Sequence, residues 1–519
     1  MKVNNDRWML ILTIGAILFA SLAGMWMLRA ATPFGLGLNT DSVYYVNGAR
    51  NILAGDGFTR TSGEGILKPL THFPPLFSLV LSFVGLGGLD PLRGGRLVII
   101  LLYGTNTLLF AWLVWILTRK SWLAGIGACL LAFSSVNLKT SSWLMSEPLY
   151  LFLMLISLLV LYIYMKNWKP FTILGLGVLG GLMYLTRYVG VSAVITWLTA
   201  ILLFTPGWRK KVTHACLFLL GSLPFMIGIM LRNYLLTGST GNRTFIVHWV
   251  PFGKIADGIR TFWGWILPLG TGIMYDSLRW VFIAVFFILL SVGLFILVRS
   301  LLNNIKHPTP STPMLFLLGL SLHVVIYLAG VLVAMNFFDA TTVLDDRMLL
   351  PVYWIGMIFL LVGLEQLWKV IGPARRNLLV GAIVAVLGLA VYGSINTVVN
   401  LQKDGQGFID RFRRESQTMK YIREHDISLF YTNAPPTVYI LTGKAGYMVP
   451  APYDSLTLQT RATYQADLVT MKEKIVAQDG LLIFFFEPGF ETDPWYLELT
   501  AGLEPKVREP DCIIWGRVE

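Results

Sequence analysis

Four stretches of the chain hold residue types that could do chemistry beside a lipid surface. The first is 40–58, where Asp41 is followed by Tyr44, Tyr45, Ala49 and Ile52 at helical spacing and by Gly55 as a stop. A carboxylate at that place reads either as the cap of a helix or as a functional acid. The second is Leu70-Thr71-His72-Phe73-Pro74-Pro75-Leu76, where Pro-Pro closes one element and opens the next helix. His72 is then either solvated in a turn or part of a binding surface. The third is Glu147 in Ser146-Glu147-Pro148, an acid that a helix dipole favours and that hydrocarbon penalises unless it is partnered. The fourth is a set of cations, Arg187, Arg232, Arg243, Lys254 and Arg347. Each either snorkels to headgroups or serves as a phosphate ligand, for which the planar guanidinium fork is suited. Asp345 and Asp346 are at hand as partners for Arg347.

The elements that must position these residues are membrane helices. The 519 residues are 55% hydrophobic and only 13% charged, against about 25% charged in a soluble domain. Mean hydropathy is +0.65. These values exclude disorder, a fibrous protein and an ordinary soluble enzyme. About 20 mostly apolar residues cross a bilayer as a helix. Such runs lie near 8–28, 97–118, 121–138, 145–165, 171–187, 189–205, 213–231, 279–299, 313–335, 348–368 and 377–398, about eleven spans in all. Segment 74–88 is apolar but only about 15 residues long and opens on Pro74-Pro75, so it is read as not crossing. The body is therefore 1–398, with a soluble tail at 399–519. Inside the spans His323 is the main ionisable residue and reads as packing. Acids or bases near the midplane, and internal repeats, would mark a pump or lipid-sugar flippase, and the sequence carries neither pattern. Cys129, Cys216 and Cys512 form no disulfide framework and no metal-ligand spacing.

Orientation follows from the basic residues. With the N-terminus in the cytoplasm, the inner loops hold Lys2 and Arg7, Arg119 and Lys120, Lys166 and Lys169, Arg209 to Lys211, Arg299 and Lys306, and Lys369 to Arg376. That is the positive-inside pattern, and it explains the net charge of +12 without a nucleic-acid partner. Three long outer segments result: 29–96, 232–278 and the tail. Trp249, Trp263, Trp265 and Trp280 give the second the composition of interfacial helices. The tail reads as α/β, with a charged helix over 410–425 and strands over 427–431, 481–486 and 512–515. Residues 438–441 fit a strand or a short helix, and the strands fit a small parallel sheet.

Acids and arginines thus gather on one outer face, above a body with no conduction path. That combination suits an enzyme acting on a phosphate-linked lipid, with an envelope-assembly scaffold as the non-catalytic alternative. The ordered set 41–58, 72–76, Glu147, Leu185-Thr186-Arg187 and Asp346-Arg347-Met348-Leu349-Leu350-Pro351 resembles the GT-C superfamily of polyprenyl-phosphate-sugar-dependent glycosyltransferases. It is nearest to the branch of protein O-mannosyltransferases and lipid A aminoarabinose transferases. The resemblance implies a polytopic α-helical membrane protein with a small C-terminal α/β extracytoplasmic domain in the plasma (inner) membrane. It implies inverting transfer of a sugar from a polyprenyl-phosphate donor to a glycan, lipid or protein acceptor. Asp41 would be the general base and Glu147 the second acid, binding acceptor or metal. Arg187, Arg232 and Arg347, then Arg243 and Lys254, would bind the lipid phosphate, with His72, Tyr44 and Tyr45 lining the substrate site. The resemblance fixes no cofactor; a divalent cation, if used, would take Asp41 and Glu147. Two departures stand out: Asp41 is flanked by Thr40 and Ser42 rather than a second acid, and Phe73 stands where the aminoarabinose branch has Lys.

Overall fold

The computed structural model describes residues 2–241, 245–247, 249–266, 311–454, 459–485 and 490–518. Arg243, Trp280, the expected span 279–299 and the inner-loop cations Arg299 and Lys306 lie outside them. The chain divides into two compact units. One comprises Met1–Arg29, Ile99–Ser141 and Ser146–Val398; the other comprises Ala30–Val98, Ser142–Met145 and Val399–Glu519.

Among the described residues, the helices up to residue 404 are α1 (Lys2–Ala31), α2 (Thr40–Ala54), α3 (Leu76–Gly85), α4 (Pro91–Thr118), α5 (Ser121–Ala132), α6 (Ser135–Ser141), α7 (Glu147–Asn167), α8 (Pro170–Thr186), α9 (Val191–Phe204), α10 (Trp208–Thr237), α11 (Phe252–Ile266), α12 (Thr312–Phe337), α13 (Asp346–Val370) and α14 (Pro373–Asp404). Among the described residues seven are long and apolar enough to cross a membrane: α1, α4, α7, α10, α12, α13 and α14. The chain is a polytopic helical membrane protein. The expected crossing at 121–138 is instead a pair of helices, α5 and α6, bent by 51°. The expected spans 171–187 and 189–205 are α8 and α9, of 17 and 14 residues, shorter than a full crossing. Segment 74–88 holds α3, 10 residues long, which is too short to cross.

Inside the first unit the packing is that of a membrane bundle, where small residues let backbones approach. Gly177 of α8 and Gly221 of α10 face each other: a Cβ on Gly177 would sit 2.2 Å from the Phe218 carbonyl oxygen, and one on Gly221 2.6 Å from that of Leu174. Where the α5–α6 bend frees carbonyl groups, side chains take them up, as a low-dielectric setting requires. The Tyr103 hydroxyl donates to Ala132 O at 2.7 Å, Asn137 Nδ2 to Leu131 O at 3.2 Å, and Ser394 to Phe133 O. His323 is fully buried, stacked on Trp197 with centroids 5.1 Å apart and hydrogen-bonded to Thr196 at 3.1 Å, while its Nε2 has no hydrogen-bond partner among the described residues.

The second unit joins the first long loop to the tail. Its loop part contains α2, α3 and a hairpin of β1 (Thr59–Thr61) and β2 (Leu67–Pro69). Its tail part contains α15 (Arg411–Arg414), α16 (Gln417–Glu424), β3 (Phe430–Thr432), α17 (Pro435–Thr442), β4 (Tyr447–Met448), α18 (Tyr464–Ala477), β5 (Leu481–Phe485), α19 (Pro494–Thr500), β6 (Leu503–Glu509) and β7 (Cys512–Arg517). The sheet order is β4-β3-β5-β7-β6. Only β3 pairs in parallel, with β4 and β5; the β5–β7 and β7–β6 pairs are antiparallel. The parallel expectation fails because β6 and β7 are a hairpin around Pro510-Asp511, and β6, largely open to solvent, lacks the apolar run of a buried strand. The charged helix expected over 410–425 is two helices, because Ser416 caps a new start by accepting from Met419 N. Residues 438–441 lie in α17.

Loop and tail are tied at several points. Tyr447 beside β3 donates its hydroxyl to Glu64 at the hairpin tip, and Lys474 of α18 lies 3.6 Å from the same carboxylate. Partial burial and that carboxylate push the Tyr447 phenol up to about 12, so it remains a donor at neutral pH. Phe408 N and Leu144 N bond to the backbone of 37–38 at 2.8 and 2.9 Å, braiding three segments. Gly407 sits in that braid with φ +66°, where a Cβ would fall 2.1 Å from Leu38 O and 2.6 Å from the Trp143 ring. Gly407→Ala is expected to cost the unit about 2–4 kcal/mol, read as faster protease cleavage between 30–98 and the tail; wild-type protease resistance would show that the braid yields.

Candidate functional site

The residues singled out by type and spacing fall into two groups, one in each unit. In the first unit Glu147, Arg187 and Arg347 come together. Each is placed by a helix end. Glu147 is the first residue of α7, followed by Pro148, whose missing N–H costs nothing there. Arg187 caps the C-terminus of α8 before the tight turn Tyr188–Gly190. Arg347 is in the first turn of α13, whose cap Asp345 accepts from Met348 N at 2.9 Å. The sequence separates these residues by up to 200 positions; the bundle brings both guanidinium groups onto Glu147 Oε1, Arg347 Nε at 2.7 Å and Arg187 Nη1 in direct ion-pair contact.

The three side chains form a gradient of access. Glu147 is 4% exposed, Arg187 13% and Arg347 33%. Glu147 Oε2 is buried with no hydrogen-bond partner among the described residues. Each guanidinium carries five N–H donors in a planar fork, so the pair has more donors than one carboxylate can accept. Neighbouring groups steady the pair. Arg187 Nη2 lies 3.3 Å from Met348 Sδ, Tyr327 of α12 donates to Met348 O at 2.7 Å, and Trp265 of α11 donates to Asp346 Oδ1 at 2.9 Å. Asp346 is therefore engaged by Trp265, while Glu147 partners Arg347. The supporting roles of Tyr327 and Met348 are not legible in the sequence, because a Tyr and a Met inside apolar runs carry no signal that separates them from core.

Arg232 and Lys254 are not on Glu147. Arg232 donates to its neighbour Asn233 at 3.0 Å, and Lys254 bridges the carbonyls of Ala340 and, at 3.4 Å, Thr342. Arg243 lies outside the described residues.

The second group stands on α2. Its N-cap is Asn39, which accepts from Ser42 N at 3.0 Å while Ser42 Oγ accepts from Asn39 N at 3.2 Å. The cap is thus made without Asp41, and that reading of Asp41 fails. Gly55 closes the helix in the left-handed conformation as expected, with φ 88°. Ser42, Val43 and residues 45–49 are buried, while Asp41 and Tyr44, three residues apart on one face, are half-buried. Tyr45 faces the core, its ring packed on Phe73 and Phe77 at 5.4 and 5.1 Å; burial removes it from a substrate surface. Tyr44 meets Phe73 at 5.4 Å and His72 meets Phe73 at 5.2 Å, so His72, Phe73 and Tyr44 make a half-exposed aromatic patch. Arg60 joins it from β1, donating to the Tyr44 hydroxyl at 2.9 Å with its guanidinium 5.3 Å over the ring.

A cation at Glu147 would face two guanidinium charges already on that oxygen. Among the described residues no three His, Cys, Asp or Glu side chains gather.

The chain is similar in fold to solved membrane glycosyltransferases of the GT-C superfamily. ArnT from Cupriavidus metallidurans, bound to undecaprenyl phosphate, aligns over 97% of this chain and 98% of its own, with a TM-score of 0.58 and 12% identity. The oligosaccharyltransferase of Archaeoglobus fulgidus, complexed with Zn and sulfate, aligns over 93% of this chain and 69% of its own, with a TM-score of 0.56 and 12% identity. The same archaeal enzyme, AglB, with an inhibitory peptide and a dolichol-phosphate, aligns over 94% and 71%, again with a TM-score of 0.56 and 12% identity. At that identity the likeness is one of fold: the chain has the GT-C fold. No protein-family profile and no curated protein sequence matches the chain.

Removing the charge of Glu147 would leave two guanidinium groups crowded in a poorly solvated place. Glu147→Gln is expected to cost about 3–5 kcal/mol, seen as a lower melting temperature of the protein in lipid nanodiscs. Adding Arg187→Gln should restore part of the loss, since the two changes share one interaction. Strictly additive losses would mean that the cluster does not act as a unit.

Proposed function

We propose that the protein is an integral membrane glycosyltransferase that moves a sugar from a polyprenyl-phosphate donor to an acceptor hydroxyl. The observation that carries this reading is the Glu147–Arg187–Arg347 cluster within a GT-C fold. A sugar on a lipid phosphate already has a fair leaving group, so the demand on the protein is to stabilise phosphate charge rather than to donate a proton. Fixed cations in a water-poor site meet that demand without reorganising during the reaction. Glu147 holds the two guanidinium groups in place, and Arg347, the most open of the three, reaches the phosphate oxygens with Arg187 behind it.

In this reading Asp41 is the general base. The acceptor oxygen attacks the anomeric carbon, its proton passes to the Asp41 carboxylate, and the carbon–oxygen bond to the lipid phosphate breaks. Polyprenyl phosphate leaves with the bonding pair, and the configuration inverts in this single displacement. The short basic loops support a plasma-membrane protein whose N-terminus is cytoplasmic and whose tail and first loop are extracytoplasmic.

The test is transfer from a panel of radiolabelled polyprenyl-phosphate sugars by the full chain in lipid. Asp41→Asn should lower turnover by at least about a hundredfold, the usual worth of a positioned base. Arg347→Gln should leave donor release products scarce even at saturating acceptor. Transfer by Asp41→Asn at the wild-type rate would remove Asp41 as the base; no transfer from any donor would remove the assignment itself.

A further inference from the structure

The hairpin of the first loop carries two cations in an arrangement that folding alone does not favour. Arg60 on β1 and Lys68 on β2 are a directly opposed antiparallel pair, between Thr59↔Pro69 and Thr61↔Leu67. Opposed residues in such a pair project from the same face, and like charges there repel. Neither has a carboxylate partner among the described residues. The nearby acid Glu64 is taken by Tyr447 and Lys474, and Asp90 is taken by Arg50 at 2.9 Å. Lys68 is exposed and Arg60 half-buried. Arg60 is aimed by Tyr44, which holds it by hydroxyl and by ring. Beyond Tyr44 lie the half-exposed rings of Phe73 and His72.

From this geometry we infer that Arg60 and Lys68 form an anion site for a phosphate-bearing saccharide. The cations take the phosphate: Arg60 through its fork and Lys68 as a mobile point charge. The apolar C–H face of the sugar ring packs against the edge of the Phe73–His72 surface. Tyr44 is one helical turn from Asp41 on α2, so the anion site and the proposed base stand on the same short helix. The site therefore belongs to the acceptor rather than to the lipid donor. This last step rests on the glycosyltransferase reading; the binding itself does not.

Binding is tested directly, with the full chain in phosphatidylcholine nanodiscs and glucose 6-phosphate as the probe. Glucose, inorganic phosphate and glycerol 3-phosphate (the headgroup chemistry of a phospholipid) are titrated beside it. Glucose 6-phosphate is expected to bind more tightly than any of the three, and less tightly as salt rises. Lys68→Gln and Arg60→Gln should each weaken it by about tenfold, the value of one charge-assisted hydrogen bond. Lys68 is exposed, so Lys68→Gln should fold normally, with a melting temperature equal to wild type or higher because a repulsion is relieved. Equal binding by wild type and Lys68→Gln would overturn the site. Inorganic phosphate or glycerol 3-phosphate binding as well as the sugar phosphate would overturn its saccharide character. Loss of binding in the variants of a protein that transfers no sugar would leave the site standing and remove only its link to Asp41.

Discussion

A carboxylate buried at the start of a membrane helix is tolerable only with a fixed counter-charge, and Glu147 has two. Much of the first unit follows from that requirement. The end of α8 must deliver Arg187, the start of α13 must deliver Arg347, and α12 and α11 must support α13 through Tyr327 and Trp265. Removing any one charge leaves the others stranded where water cannot solvate them. The same constraint makes the arginines rigid. A guanidinium held by a carboxylate at one edge presents its other donors in a set direction, which is the property a phosphate site needs.

The second unit solves a different problem. Its loop segment is too short and too polar to hold a core alone, and its tail sheet is small. They are stabilised together: the backbone braid at Gly407, the Glu64–Tyr447 hydrogen bond and the Arg50 guanidinium over the Tyr439 ring all link loop to tail, while the Arg50–Asp90 pair steadies the loop itself. Arg50 overcomes the desolvation of Asp90 and holds its carboxyl below the usual range, so that pair strengthens the fold above the ordinary carboxylate range and weakens as pH falls through it. α2, which carries Asp41 and Tyr44, is thereby anchored along its buried side while its other side stays open.

The apolar runs made the membrane helices legible because hydrocarbon thickness sets a length that composition alone can satisfy. Gly55 and Pro75 marked the ends of α2 and the start of α3 because each acts through its own backbone, with no distant partner needed. Glu147, Arg187 and Arg347 were legible as candidates because charges beside apolar runs are costly enough to need a reason. The Asn39 cap was missed because Asn, Asp and Ser near a helix start are interchangeable by type, and only geometry decides which oxygen meets the free N–H groups. The mixed sheet was missed because β6 is an edge strand with polar outward residues, whose pattern resembles a loop.

By itself the sequence determined the class of protein, the position of most helices and the list of residues with chemical potential, since these depend on local composition and on water-to-lipid transfer. It could not say which charge pairs with which. Asp345 and Asp346 stood beside Arg347 in the chain, yet its partner is Glu147, 200 positions away, and that choice was made only when helix ends from three parts of the chain met at one oxygen. Nor could it show Arg60 opposite Lys68, because strand register is set by the turn between them and by the face each strand buries. Pairing and register are properties of distance in space, and distance in space is what tertiary structure adds.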